Sequence, residues 1–437
     1  MRLSITTLAF VLLLLLSTPV RAHFLWLVVE PSQEVQLHFS EGPYELTAPR
    51  LLQLLEPVRT KVAAGELKLN PNPRAWAGRL QHGGQSAGVS WRYGIFARGD
   101  RPFLLEYYGR GASSLESAAK SDGLRSEILA TREGDRLVIR VQFDGKPVPE
   151  AEVVVSAPNR LEPDVWQANA MGELRIPLPP EGLLGLRSHA EEPGEGEHDG
   201  QSYRLVKHYT TLTVALDPVE AIPSEADTLA WRRLQRASLL RATLPRSVTE
   251  IAGEFGLATD SERTAGSFRF VVGSGFETFD VDSGPEELKA WARQTIGSMI
   301  QHRLSRPFRQ GDGSKPVAFA KTEPGPLHET LALNDSIRSR YHLDGDRIVG
   351  VERRMEHTHL SIDVLSSQRT PDGQLLPDRF VVIHRDPKTG SISRVESIAE
   401  TYDETSNASL PLSRLVTIHA GGAGSVRKLT LSEVKIR

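Results

Sequence analysis

The chain has 437 residues, sets 52 Lys and Arg against 55 Asp and Glu, and contains no cysteine. A length of that order accommodates two or three domains with their own cores, and near-neutral charge argues against nucleic acid as the main partner. The absence of cysteine excludes disulfides, thiolate metal sites and lipid attachment through an N-terminal cysteine.

The first 22 residues read as a secretory signal. Arg2 gives a positive start, residues 8–16 form an apolar run, and PVRA at 19–22 supplies small residues at the −3 and −1 positions of a peptidase site. Cleavage is expected between Ala22 and His23. The run is too short to cross about 30 Å of hydrocarbon as a helix, and no later stretch could span a membrane. The expected location of the mature chain is the periplasm or the exterior.

From His23 onward the pattern predicts strands. Residues 23–29 are continuously apolar apart from His23, and Pro31 and Ser32 mark a turn. Over residues 34–39, Val35, Leu37 and Phe39 alternate onto one face and His38 onto the other. Leu137, Ile139, Val141 and Phe143 alternate up to an Asp144-Gly145 turn. Further strands are expected at 151–155, 174–178 and 203–216. This is the pattern of β-sandwich modules, placed at 23–125 and 126–216; the second, with GKPVPEAEV at 145–153 and GELRIPLP at 172–179, resembles transthyretin-like sandwiches.

Residues 217–225 read as a Pro-containing acidic linker. A helix is expected from Ser224, with Asp227 three residues on. A second begins at Pro285, with Glu286 and Glu287 in its first turn and Leu288, Trp291, Ala292, Ile296, Met299 and Ile300 on one face. Strands at 267–272, 347–353, 359–365, 380–384, 394–398 and 415–419 make 226–437 an α+β domain with a curved antiparallel sheet. The fold class is mainly β: sandwich modules followed by this α+β domain.

Processing at Ala22 would leave a histidine with a free α-amine and an imidazole Nδ1, two nitrogens able to close a six-membered chelate. Such a donor set suits Cu, Ni, Co or Zn rather than Mg or Ca, and the amine, with an ordinary pKa of about 7.7–8.0, gives up its proton readily to a metal. Metal candidates are therefore His23 with His189, His198 and His208; His38 and His82 lie in the same half. His189 and His198 fall in SHAEEPGEGEHD at 188–199, which reads as a polar acidic loop, solvated or cation-collecting. His208 shares a strand face with Val206, Thr210, Leu212 and Val214 and is expected to point inward. His357 and His359 share a strand face without a third ligand, and solvent exposure is the reading preferred over a metal there. Arg232, Arg233 and Arg236 read as the polar side of a helix.

The familiar enzyme signatures are missing: no Gly-x-Ser-x-Gly elbow, Walker loop, dinucleotide fingerprint or His-Glu-x-x-His occurs. The chain therefore reads as a binding protein rather than an enzyme. In the first half, AHFLW at 22–26, LLEYY at 104–108, EGDRLVIRVQFDGKPV at 133–148 and YTTLT at 209–213 resemble an uncharacterised exported family related to the periplasmic component of nickel and cobalt uptake systems. Over residues 23–216 the resemblance implies metal binding and a membrane transporter or envelope protein as partner. In the second half, YHLDGDRIV at 341–349, TPDGQLLP at 370–377 and DPKTG at 386–390 are similar to an uncharacterised domain of bacterial and plastid proteins, with the look of lipoprotein-carrier-like sheets. The leading expectation is a periplasmic protein binding Cu, Ni or Co through His23. The alternatives are a scaffold holding a hydrophobic or protein ligand, and a copper oxidase using an N-terminal histidine.

Overall fold

The structure is a computed structural model describing residues 23–56, 58–62, 65–81, 83–96, 102–217, 222–321, 329–403 and 409–437. The expected signal peptide and His82 lie outside the described residues. The chain divides into two compact units, one built from residues up to 157 together with 164–217, the other from 158–163 and 218–437.

The first unit is built from three sheets. A central sheet of eight strands runs in the order Asp164–Gln167, Glu152–Ser156, Leu183–His198, Gln201–Ala215, Phe103–Ala112, Ser86–Phe96, Arg59–Val62, Gly65–Leu67. It draws strands from both expected modules, which meet where Gln201–Ala215 pairs in parallel with Phe103–Ala112. Because side chains alternate along a strand, Leu212 and Val214 fall on one face and Tyr209, Thr211 and Thr213 on the other. The first face joins Leu184, Leu186, Val153 and Val155 in a core with Ile128, Leu137 and Ile139, which come from a four-stranded sheet. The opposite face is covered by another four-stranded sheet containing Phe24–Val29 and Glu34–Ser40, with Leu25, Leu27, Leu37 and Phe39 packed near Val89, Leu105 and Tyr107.

One sequence expectation changes here. The stretch 188–199 is strand rather than loop: Leu183–His198 and Gln201–Ala215 form one long hairpin, closed by Asp199 and Gly200, both at positive φ. Paired backbone sustains it although its side chains are mostly charged, and cross-strand ion pairs such as Lys207 Nζ to Glu191 Oε1 (2.7 Å) add to it. The face of Glu34–Ser40 that carries His38 is covered as well, so every residue from Val35 to Ser40 is buried.

The second unit contains one twelve-stranded antiparallel sheet, running from Gly275–Val281 at one edge to Val317–Phe319 at the other. Helix Glu286–Gln301 follows Pro285 with two acids in its first turn, and buries Leu288, Ala292, Ile296, Met299 and Ile300 against Phe255, Phe268, Leu429 and Leu431. Helix Thr228–Leu239 starts later than expected. Asp227 is its cap, accepting from the Ala230 amide at 3.0 Å. It packs Trp231 and Leu234 against Leu331, Tyr341 and Leu343. Its arginines are not a solvated side: Arg232, Arg233 and Arg236 are buried, and Asp346 binds both Arg233 (2.6 Å) and Arg236 (3.1 Å).

Candidate functional site

Phe24–Val29, the first strand among the described residues, is held by side chains as well as by its strand partner. Phe24–Val29 is an edge strand, paired on one side with Glu34–Ser40. Three side-chain hydroxyls donate to alternate carbonyls: Tyr107 to His23 O (3.0 Å), Thr211 to Leu25 O (2.6 Å) and Thr213 to Leu27 O (2.6 Å). These donors sit on neighbouring parallel strands in register with Gly109 and Gly111. A Cβ on Gly109 would stand 3.1 Å from Leu25 O, and one on Gly111 would collide with Leu27 O. The glycines therefore admit the strand, and the hydroxyls satisfy carbonyls that a buried edge would otherwise leave unpaired.

That docking fixes His23, a half-buried residue, at the rim of a cluster of aromatic rings. Its imidazole lies 5.6 Å from the Phe39 ring. Phe39 contacts Trp91, Tyr93 and Tyr107 with ring centroids 5.3–6.0 Å apart. Tyr107 leads to Tyr209 at 6.1 Å, and Tyr209 to His189 at 5.6 Å. His189, Tyr209, Tyr107 and Trp91 are register partners on four successive strands, so they form one cross-sheet row. Burial pushes the Tyr107 hydroxyl pKa up, so it stays a neutral donor to His23.

The other two candidates lie elsewhere. His208 is fully buried on the opposite face of the sheet from Tyr209. Its Nδ1 is 3.3 Å from the Tyr108 hydroxyl and 3.5 Å from Glu106, and its Nε2 is 3.3 Å from Glu192. Arg125 clamps Glu192 with two bonds (2.9 and 3.0 Å) and also binds Asp144. The hydrogen bond from His208, followed by those of Tyr108 and Arg92, holds the Glu106 carboxyl down to about 2. His198 lies at the end of the long hairpin, 3.4 Å from Asp199. The fold thus brings His23 and His189 to one ring cluster, and places His198 and His208 in separate surroundings. Among the described residues, no group of three or more His, Asp or Glu side chains is arranged to hold a metal ion.

Sequence reasoning did not find Tyr107, Thr211 and Thr213. The signal lay in the paired strings at 104–108 and 209–213, whose hydroxyl residues alternate on one face once the strands are in register.

Residues 241–436 match the family described as Protein of unknown function (DUF3386). No curated protein matches the chain. These comparisons lend no support to the nickel and cobalt resemblance of residues 23–216, and no helix among the described residues is long and apolar enough to cross a membrane.

Proposed function

We propose that the chain is an exported, periplasmic binding protein that takes up a transition-metal ion, Cu, Ni or Co, at a terminus created by cleavage between Ala22 and His23. In this reading it is not an enzyme, and it passes its ion to a transporter or another envelope protein. The observation that carries the reading is the anchoring of His23: its carbonyl is held by Tyr107 and its strand by Thr211 and Thr213. A terminus fixed in this way presents amine and imidazole nitrogen in one place, which lowers the ordering cost of chelation. His189 belongs to the same ring cluster but lies beyond Tyr107 and Tyr209 from His23, so the terminal amine and imidazole carry the reading. His208 is already engaged by Glu106 and Glu192.

The test is calorimetric titration of Cu(II), Ni(II) and Co(II) into protein that begins at His23, beside protein carrying one extra alanine before it. The extra residue converts the amine into a peptide nitrogen and is expected to weaken binding at least about tenfold. Equal affinities would overturn the reading.

A further inference from the structure

The sheet face that carries both helices of the second unit contains a group of arginines out of balance with its acids. Glu400, whose side chain is fully buried, receives Arg303 at 3.2 Å and Arg414 at 2.9 Å. The Tyr402 hydroxyl lies against Glu400 and Arg303, and burial raises its pKa, so it adds no negative charge. Arg241 stands next to this group. Its backbone bridges to Leu375, and Leu244 three residues on donates to Arg303 O at 2.7 Å. The half-buried guanidinium of Arg241 makes one hydrogen bond, to the His302 carbonyl at 3.2 Å, and no carboxylate pairs with it among the described residues. Desolvation and then the charge of Arg303 disfavour its charged form. Two guanidiniums thus pair with Glu400, while Arg241 has only the through-space charge of Asp312 and no direct carboxylate partner among the described residues, and arginine does not relieve the excess by deprotonating under ordinary conditions.

The neighbouring surface is mainly apolar, with Glu396 in register between Val382 and Ile418 and paired to Arg394 at 2.6 Å. Arg414 lies 5.9 Å from the Phe380 ring. Phe380 is in register with Val364 and Ile398, and Val382 with Ile362. One cross-strand row runs from Leu331 and Tyr341, under helix Thr228–Leu239, through Val351, Ile362 and Val382. Ile398, Val416 and Ile418 continue the face toward Trp291 of helix Glu286–Gln301. Between the two helices, Leu360, Ile362, Val364, Phe380 and Val382 are only half-buried.

We propose that this face binds a single-chain anionic amphiphile, with its carboxylate or phosphate on Arg241 beside Arg303 and its alkyl chain along Phe380, Val382 and Ile362. The charge excess calls for an anion, and the adjoining strip adds the apolar body. A bidentate anion would satisfy the idle guanidinium donors of Arg241, and the chain would cover the half-buried side chains. The site lies in the second unit and is independent of the metal reading at His23.

The experiment is isothermal titration of the full mature chain with laurate below its micelle concentration, alongside dodecyl maltoside and acetate. Laurate is expected to bind, and both other compounds to bind at least about tenfold more weakly. Arg241→Met should weaken laurate at least about tenfold, with Arg241→Lys recovering only part of the affinity because it keeps the charge but loses the two-pronged contact; melting curves of both variants check that they fold. Failure of laurate to bind, equal binding by Arg241→Met, or equal binding of dodecyl maltoside or acetate would overturn the proposal. If Arg241→Met does not fold, the comparison of laurate, maltoside and acetate on the unmodified protein still decides it.

Discussion

Glu106 and His208 face each other across neighbouring parallel strands, with Nδ1 3.5 Å from Oε2 and the two residues directly in register. The carboxyl is held at about 2, against an ordinary 4.5. Its lowered pKa contributes stability that is fully present above the unfolded value and lost as pH falls from about 4.5 toward 2. His208→Leu removes the largest cause of the shift, so the Glu106 carboxyl should titrate at higher pH. Urea unfolding midpoints across pH 2–6 check this, and an unchanged acid limb in His208→Leu would contradict it.

His38 acts in a different window. Burial holds its pKa at about 4, so the unfolded chain takes up a proton between about 6.5 and 4 that the native state refuses. Stability should therefore fall across that window as pH is lowered, by at most a few kcal/mol for one group. Its Nδ1 is buried without a partner and its Nε2 has only Gln36 at 3.3 Å, so nothing nearby favours the charged form. His38→Leu should flatten the pH 6.5–4 limb while leaving the Glu106 limb in place.

Gly111→Ala should destabilise the first unit by roughly 1–3 kcal/mol, because the new methyl group meets the Leu27 carbonyl and must push the first strand outward. Thr213→Val keeps the volume but leaves that carbonyl without its donor, at a cost of about 1 kcal/mol. Denaturant titration gives both numbers. If the metal reading is right, Gly111→Ala should also loosen metal binding at His23.

Glu400→Gln should be the most damaging of these changes, costing about 3–5 kcal/mol, because Arg303 and Arg414 lose the one carboxylate they share. Thermal unfolding of the second unit reads this directly. A loss below about 1 kcal/mol, the range of an exposed pair, would show that the arginines find other partners.

Much of the architecture was legible because it is local. Pro285 and the acids after it mark a helix start whatever surrounds them, and the alternation at 137–143 marks a strand. Asp227 reads from the pattern as lying inside a helix that it in fact caps. What stayed hidden depends on pairing between distant segments. The charged residues of 188–199 form strand only because Gln201–Ala215 lies beside them. The ring row of Trp91, Tyr107, Tyr209 and His189 exists only once four strands are in register. Arg232, Arg233 and Arg236 read as a solvated side because Asp346, which binds two of them, is more than 100 residues away in the chain.

The berth of the first strand is assembled late. Thr211 and Leu25 are separated by 186 positions, and the parallel pairing that sets Thr211 beside Gly109 cannot form until both strands are present. A chain emerging N-terminus first therefore carries residues 24–29 paired with the adjacent Glu34–Ser40 but without their Thr211 and Thr213 donors until nearly two hundred residues later. Folding of this unit is set by long-range closure and should be slow. During that interval the outer edge of Phe24–Val29 remains open to other strands.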